Sequence, residues 1–131
     1  LDSFESASEL SLQGTRIQIR EISHITAEEH YCRIFVKQNS NVLQEFSVKS
    51  TLKSLLSQLP DDRFFHIHRS HVVNLEFITG IEKNHRTYQV FLSDRQNTLP
   101  LSRHRISEVF PKIETYLNIK RGKNNIHQET G

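Results

Sequence analysis

The densest group of chemically active side chains lies between Phe64 and Leu75, in the sequence FFHIHRSHVVNL. Imidazole, guanidinium and hydroxyl groups follow one another there within a run of apolar residues. The apolar positions favour a core, whereas the polar positions favour water, a ligand or a polyanion. We therefore expect this segment to present polar side chains from a rigid support. These side chains are His66, His68, Arg69, Ser70 and His71.

Zinc-dependent hydrolysis is one chemistry that this spacing could support. His66, His68 and His71 form an H-x-H-x-x-H pattern, which can supply imidazole ligands to zinc. A catalytic zinc site needs about three protein ligands and an open position, and two-metal hydrolases add nearby carboxylates. No Asp or Glu lies between His66 and His71, and Arg69 and Arg103 would bring positive charge towards a cation. A histidine-ligated metal-dependent hydrolase is therefore the alternative hypothesis, and we expect no catalytic residue, no metal and no cofactor.

Recognition of nucleic acid is the second chemistry. Arg69 and Arg103 lie beside serine in two similar patterns, HRSH and LSRHR, and His30 lies on a polar bend before a strand. A guanidinium group can donate two parallel hydrogen bonds to guanine O6 and N7, and nearby hydroxyls or helix amino-terminal amides can bind phosphate. These three corners favour a DNA-binding surface.

Length and composition are compatible with one small domain. The 131 residues suffice for a single core, and no apolar run approaches the roughly 18 residues of a membrane helix. The single cysteine, Cys32, cannot form an internal disulfide, so we expect a cytoplasmic protein without membrane contact. Residues 15–131 carry 17 basic and 12 acidic side chains, a net charge of +5 that suits a polyanion. The chain contains no methionine, and we expect further protein before Leu1.

Hydrophobic periodicity predicts a mainly β domain over 15–117, preceded by a linker over 1–14 and followed by a flexible basic tail over 118–131. The predicted strands are 15–21, 24–27, 31–37, 42–48, 64–67, 78–82, 88–92 and 98–101. Ser50 is the predicted N-cap of a helix over 51–59, and Ser102 is that of a last helix in which Pro111 causes a kink or a restart. A single helical turn is predicted over 70–75, and turns are predicted over 38–41 and 93–97.

The segment FFHIHRSHVVNLEFITGI, followed by LPLSRHRISEV, resembles the signature of the LytTR DNA-binding domain, the output module of LytR/AgrA-type bacterial response regulators. The resemblance extends from about Thr15 to Leu117. It implies an elongated, mainly β fold of antiparallel sheets with one short packing helix and a C-terminal helix. It also implies sequence-specific binding to double-stranded DNA in a two-component transcription regulator. In such a regulator, loops enter successive major grooves at paired or repeated sites, and a receiver or sensor domain lies upstream.

The resemblance also assigns roles to individual residues. The base contacts of the family fall on His30, Arg69 and Arg103. Candidates for backbone contacts or loop support, two of them chosen only for their charge, are Lys37, Lys49, Ser70, His71, Asn74, Ser102 and Arg105. Two positions depart from the family, because His66 replaces a common arginine and Asp94-Arg95-Gln96 replaces a common glycine. A protein-interaction module that has lost DNA binding is the other alternative.

Overall fold

The computed structural model describes residues 8–37, 43–93 and 98–130, with only the backbone of 120–130. Within these ranges the chain forms ten strands and two α-helices. They are β1 (Glu9–Leu12), β2 (Thr15–Gln18), β3 (Ile22–Glu28), β4 (Tyr31–Lys37), β5 (Leu43–Val48), α1 (Leu52–Leu56), β6 (Phe64–His68), β7 (His71–Asn74), β8 (Ile78–Asn84), β9 (Thr87–Leu92), β10 (Thr98–Leu101) and α2 (Ile106–Thr130). Short 3₁₀ turns cover Ile19–Glu21, Leu75–Phe77 and Arg103–Arg105.

The strands form three antiparallel sheets. The largest has the order β5-β4-β3-β7-β6, the second has the order β10-β9-β8, and β1 pairs with β2. Strand β4 shows why these segments are strands, because Cys32, Ile34 and Val36 alternate with less buried residues and line one face. The predicted mainly β fold with antiparallel sheets is confirmed, as is the strand over Tyr31–Lys37.

Two apolar cores share the hairpin formed by β6 and β7. The first core lies between the five-stranded sheet, α1 and the β1–β2 hairpin, and the second lies between the three-stranded sheet and α2. Phe64 and Val72 belong to the first core, whereas Ile67 and Val73 belong to the second. A bulge between His66 and His68 accompanies this division. The β6–β7 hairpin is therefore packed from both sides.

The amino-terminal segment corrects the predicted linker. Residues 1–7 lie outside the described residues, but Glu9–Leu12 forms β1, in which Leu10 pairs with Ile17 and both side chains are buried. Gln13 and Gly14, with φ of 50° and 85°, form the two-residue turn of this hairpin. Positive φ at both turn residues matches the right-handed twist of paired strands. The burial of Leu10 outweighs the Ser- and Glu-rich composition of this segment.

Two predicted elements before the second core also differ. The N-cap of α1 is Thr51, not Ser50, since the Ser54 N–H donates to Thr51 Oγ1 at 3.0 Å. Helix α1 ends at Leu56, earlier than predicted. The segment predicted as a helical turn over 70–75 is mainly strand β7, because it pairs with both β3 and β6.

The last helix differs at both ends. Ser102 makes no side-chain capping bond, and a 3₁₀ turn over Arg103–Arg105 precedes α2. Pro111 lies inside α2 without ending it, and the backbone is helical as far as Thr130, where a flexible tail was predicted. The predicted turn over 38–41 and all but one residue of that over 93–97 lie outside the described residues, as does Asp94-Arg95-Gln96. No helix in the described part of the chain is long and apolar enough to cross a membrane.

Candidate nucleic-acid interface

The turns that carry His30, Arg69 and Arg103 lie at the same end of the five-stranded sheet. The Ala27 N–H donates to the Ser70 carbonyl at 2.8 Å, which places the β3–β4 turn beside the β6–β7 turn. The Ser102 N–H donates to the Ile67 carbonyl at 2.8 Å, which brings the turn over Arg103–Arg105 next to β6. We call this part of the molecule, formed by turns 29–30, 69–70 and 103–105, the loop end.

The three predicted base-contacting side chains are all exposed at the loop end. Neighbouring strands are about 4.8 Å apart, so the β3–β4 and β6–β7 turns, two strand spacings apart, are separated by about 10 Å. The turn carrying Arg103 continues the same row on the far side of β6. The major groove of DNA is about 12 Å wide, so two turns about 10 Å apart are close enough to reach one groove.

Two histidines form part of the β6–β7 turn. The Ser70 N–H donates to His68 Nδ1 at 3.1 Å, and His71 Nδ1 lies 3.1 Å from Thr26 Oγ1 on β3. The His68 and His71 rings are 5.1 Å apart. Burial, and secondly the proximity of His68, lowers the pKa of His71. The lowered pKa favours the neutral form of the His71 ring, which lies beside Thr26 at the start of β7.

A cleft separates the β6–β7 turn from the start of α2. It places the exposed Arg69 and the half-buried Arg105 on one surface. His104 and Glu108, which are not among the predicted site residues, also line this cleft. Their signal in the sequence is their closeness to Arg105, since His104 directly precedes it and Glu108 follows it by three residues, about one helical turn.

His66 lies on the other side of the hairpin end, in a second cleft with Lys112 and Asp61. Burial, and then the Arg105 charge, lowers the pKa of His66. Its Nε2 atom is buried and has no hydrogen-bond partner among the described residues. Lys112 Nζ lies 5.5 Å from the centre of the Phe65 ring in the same region. These observations indicate that His66 is an uncharged residue that packs against its neighbours. It occupies the position at which an arginine is common in the family.

The candidate support residues separate into different environments. Asn74 is fully buried, donates from Nδ2 to the Ile22 carbonyl at 2.8 Å and accepts from the Glu76 N–H at 3.0 Å. It therefore joins the end of β7 to β3 and does not reach the surface. Ser102 is half-buried, and the bond from its N–H to Ile67 fixes the entry to the Arg103 turn.

The two lysines chosen for their charge lie at opposite ends of the sheet. Lys49 is exposed and follows the end of β5, where Val48 pairs with Cys32, so it lies at the loop end. Lys37 closes the other end of β4, six residues from Tyr31, or about 20 Å along an extended strand. The structure therefore does not bring Lys37 together with His30, Arg69 and Arg103.

Acidic side chains near the β3–β4 turn are partly neutralised. Arg33 pairs with Glu28 at 2.8 Å and with Glu45 at 3.5 Å on the exposed face of the sheet. Exposed pairs of this kind contribute little to stability, about 0–1 kcal/mol. The pairs instead affect the local electrostatic potential. Because Arg33 neutralises Glu28, a DNA phosphate beside His30 would meet less repulsion.

Neither a metal site nor a reactive cysteine is found among the described residues. Within residues 8–37, 43–93 and the described side chains after 98, no group of three or more His, Cys, Asp or Glu side chains is arranged to hold a metal ion. Cys32 is buried, its thiol donates to the Ser50 carbonyl at 3.3 Å, and burial raises its pKa. A thiol with a raised pKa is a poor nucleophile at neutral pH.

Comparison with known proteins decides the family. The model of the LytTR DNA-binding domain matches residues 13–114, most of the chain. The chain belongs to the LytTR DNA-binding domain family. The resemblance carried by HRSH and LSRHR is thereby confirmed.

Two relatives of this LytTR chain give further context. It is 34% identical over 68 residues to an uncharacterized response regulatory protein of Vibrio cholerae serotype O1, an alignment that covers 52% of this chain and 26% of that protein. The chain therefore spans about a quarter of the length of this curated relative. A LytTR DNA-binding domain from Bacillus cereus, described as part of a methyl-accepting/DNA response regulator, superposes with a TM-score of 0.67 at 22% identity. That superposition covers 81% of this chain and 95% of the other, and it shows a shared fold.

Proposed function

We propose that this LytTR domain binds double-stranded DNA in a sequence-specific manner through its loop end, as the output domain of a bacterial transcription regulator. The observation that carries the proposal is the convergence of three exposed turns, bearing His30, Arg69 and Arg103, at one end of a single sheet. Two of these side chains are arginines, which are suited to bidentate contact with guanine. Membership of the LytTR family supports the same function.

Each part of the loop end has a proposed role. His30, Arg69 and Arg103 contact bases, while Lys49 and Arg105 bind phosphates on either side of them. Arg105 is half-buried and lines the same cleft as Arg69, so its side chain is more restricted by neighbouring residues than that of a fully exposed arginine. Ser70, His71 and Ser102 support these turns, whereas Asn74 lies at the opposite end of β7 and supports the 3₁₀ turn over Leu75–Phe77. Lys37 has no role in this surface, because it lies at the far end of β4.

The wider setting is also a proposal. The domain acts in the cytoplasm without catalysis of its own, and a receiver or sensor domain lies outside this chain. Similarity to a response regulatory protein about twice as long supports this arrangement. Paired or repeated DNA sites would then be occupied through contacts outside the domain. We place the amino-terminal limit of the domain before β1, since Leu10 is part of the first core.

Arg103→Lys tests the base contact, because lysine keeps the charge but lacks the planar group that donates two parallel bonds. A duplex selected by the wild-type chain from a random library and a scrambled duplex would be titrated at one salt concentration. Affinity for the selected duplex should fall by about 1–3 kcal/mol, while affinity for the scrambled duplex stays nearly constant.

Arg20→Lys is the matched control. Arg20 is exposed and precedes β3 at the end of the sheet opposite the loop end. This variant should bind both duplexes like the wild type. If Arg103→Lys keeps the full preference for the selected duplex, Arg103 is not a base contact. The DNA-binding proposal is wrong if the wild-type chain binds neither duplex. It is also wrong if the measured affinity does not change with salt concentration.

A further inference from the structure

The turn between β6 and β7 is closed by a histidine side chain. Arg69 and Ser70 form this turn, and the Ser70 N–H donates to His68 Nδ1 at 3.1 Å. A backbone amide can only donate, so Nδ1 must be unprotonated and the ring must carry its proton on Nε2. The His68 ring therefore closes the turn in the way that an Asn or Asp oxygen closes an Asx turn, by accepting from the amide two residues later.

Ser70 is held on its other side as well. Its carbonyl accepts from the Ala27 N–H on β3 at 2.8 Å. The flanking residues His68 and His71 pair with each other across the hairpin. The bond from Ser70 to His68 is thus the contact that orients the N–H of the Arg69–Ser70 peptide. The anchored Ser70 carbonyl belongs to the next peptide, so without the His68 bond the peptide that directly follows Arg69 would lose this constraint.

We propose that His68 is a positioning residue for Arg69, and that its neutral imidazole holds the β6–β7 turn in the form that presents the guanidinium group to DNA. The effect of His68 on DNA recognition rests on the proposed DNA-binding function, whereas the hydrogen bond itself can be measured on the free protein.

The hydrogen bond depends on the unprotonated Nδ1 atom of the His68 ring. A side chain that fills the same space without an acceptor at this position would leave the Ser70 N–H without this bond.

The conformation of the turn can be tested separately from the overall charge of the protein. A change of charge would alter attraction to any DNA, whereas an open turn would weaken only the contact made by Arg69 with its preferred sequence. The ratio of affinities for selected and scrambled duplexes therefore reports the conformation of the turn.

Two variants of the 131-residue chain separate the acceptor from the ring. His68→Asn keeps an acceptor near the position of Nδ1 but does not titrate, whereas His68→Phe keeps a ring beside His71 but has no acceptor. At about pH 8, His68→Phe should lose about 2- to 12-fold of the preference for the selected duplex, the range expected for one hydrogen bond. His68→Asn should keep its preference within about twofold.

The Ser70 amide provides a readout without DNA. Its proton exchange should be faster in His68→Phe than in the wild type and near wild type in His68→Asn. The proposal is overturned if His68→Phe keeps both the sequence preference and a protected Ser70 amide. It is also overturned if His68→Asn loses as much of the preference as His68→Phe. A protected Ser70 amide in a wild-type chain that binds no duplex would refute the DNA-binding function while retaining the hydrogen bond.

Discussion

Asn74 offers a direct test of how the two cores are joined. The side chain is completely buried, and its amide makes two bonds to separate backbone segments, donating to the Ile22 carbonyl and accepting from the Glu76 N–H. Replacement by alanine removes both bonds and leaves a backbone acceptor and a backbone donor without this partner. Asn74→Ala should therefore destabilise the fold far more than the loss of a surface asparagine.

The magnitude follows from these two bonds. Each intramolecular hydrogen bond contributes about 0.5–1.5 kcal/mol, and each buried group left unsatisfied costs about 1–3 kcal/mol. Because these costs overlap, we expect the free energy of unfolding to fall by about 2–5 kcal/mol. That is a large fraction of the roughly 5–15 kcal/mol of a typical domain. With a urea m-value of about 2 kcal/mol/M, the midpoint should move down by about 1–2 M.

Urea titration followed by circular dichroism measures this change, with Asn84→Ala, an exposed residue at the end of β8, as the control. The control should lie within about 0.5 kcal/mol of wild type. Asn74→Asp adds a sharper test, because it keeps the acceptor for the Glu76 N–H but replaces the donor to Ile22. Burial should raise the pKa of the new carboxyl, so its protonated form donates again and the loss of stability should shrink in acid. A cost below about 1 kcal/mol for Asn74→Ala would refute this reasoning.

Two further predictions follow from the loop end and its histidines. The pKa values of His66 and His71 are lowered in the folded protein, so the unfolded chain binds protons first, and stability should decline as the pH falls below about 6.5, the unfolded value. Urea midpoints measured from neutral pH downwards check this, and a His66→Gln variant should flatten the decline. Lys49→Ala should reduce the slope of log affinity against log salt by about 0.9, whereas Lys37→Ala should leave it unchanged. Equal slopes for the two lysine variants would mean that Lys49 does not contact a phosphate.

The fold was predictable where local pattern and tertiary pairing agree. Strand β4 has both the alternation and the β-branched residues of a half-buried strand, and its bounds match the prediction. Strand β1 was missed because composition favours a linker, and only pairing with β2 buries Leu10. Strand β7 was missed because four residues carry too little periodicity, and its two neighbouring strands determine its conformation.

The candidate site shows a similar division. The motifs around Arg69 and Arg103 were visible in the sequence, because their residue types are suited to contacts with bases and phosphates. The sequence did not show which charged side chains lie together in space. Lys37 and Lys49 are the same residue type, but they lie at opposite ends of the sheet. The role of the His68 ring was also hidden, because it depends on the orientation of one imidazole relative to one amide.

The sharing of β6 and β7 between two cores has a consequence for how base preference can diverge among such proteins. Folding uses Phe64, Ile67, Val72 and Val73, whose side chains are buried in one core or the other. Arg69 lies between these residues in the chain, but its side chain is exposed and belongs to neither core. Under the proposed role of Arg69 as a base contact, substitutions at this position would alter the preferred DNA sequence without removing any packing contact. A new operator specificity would then be accessible through single substitutions that leave the domain folded.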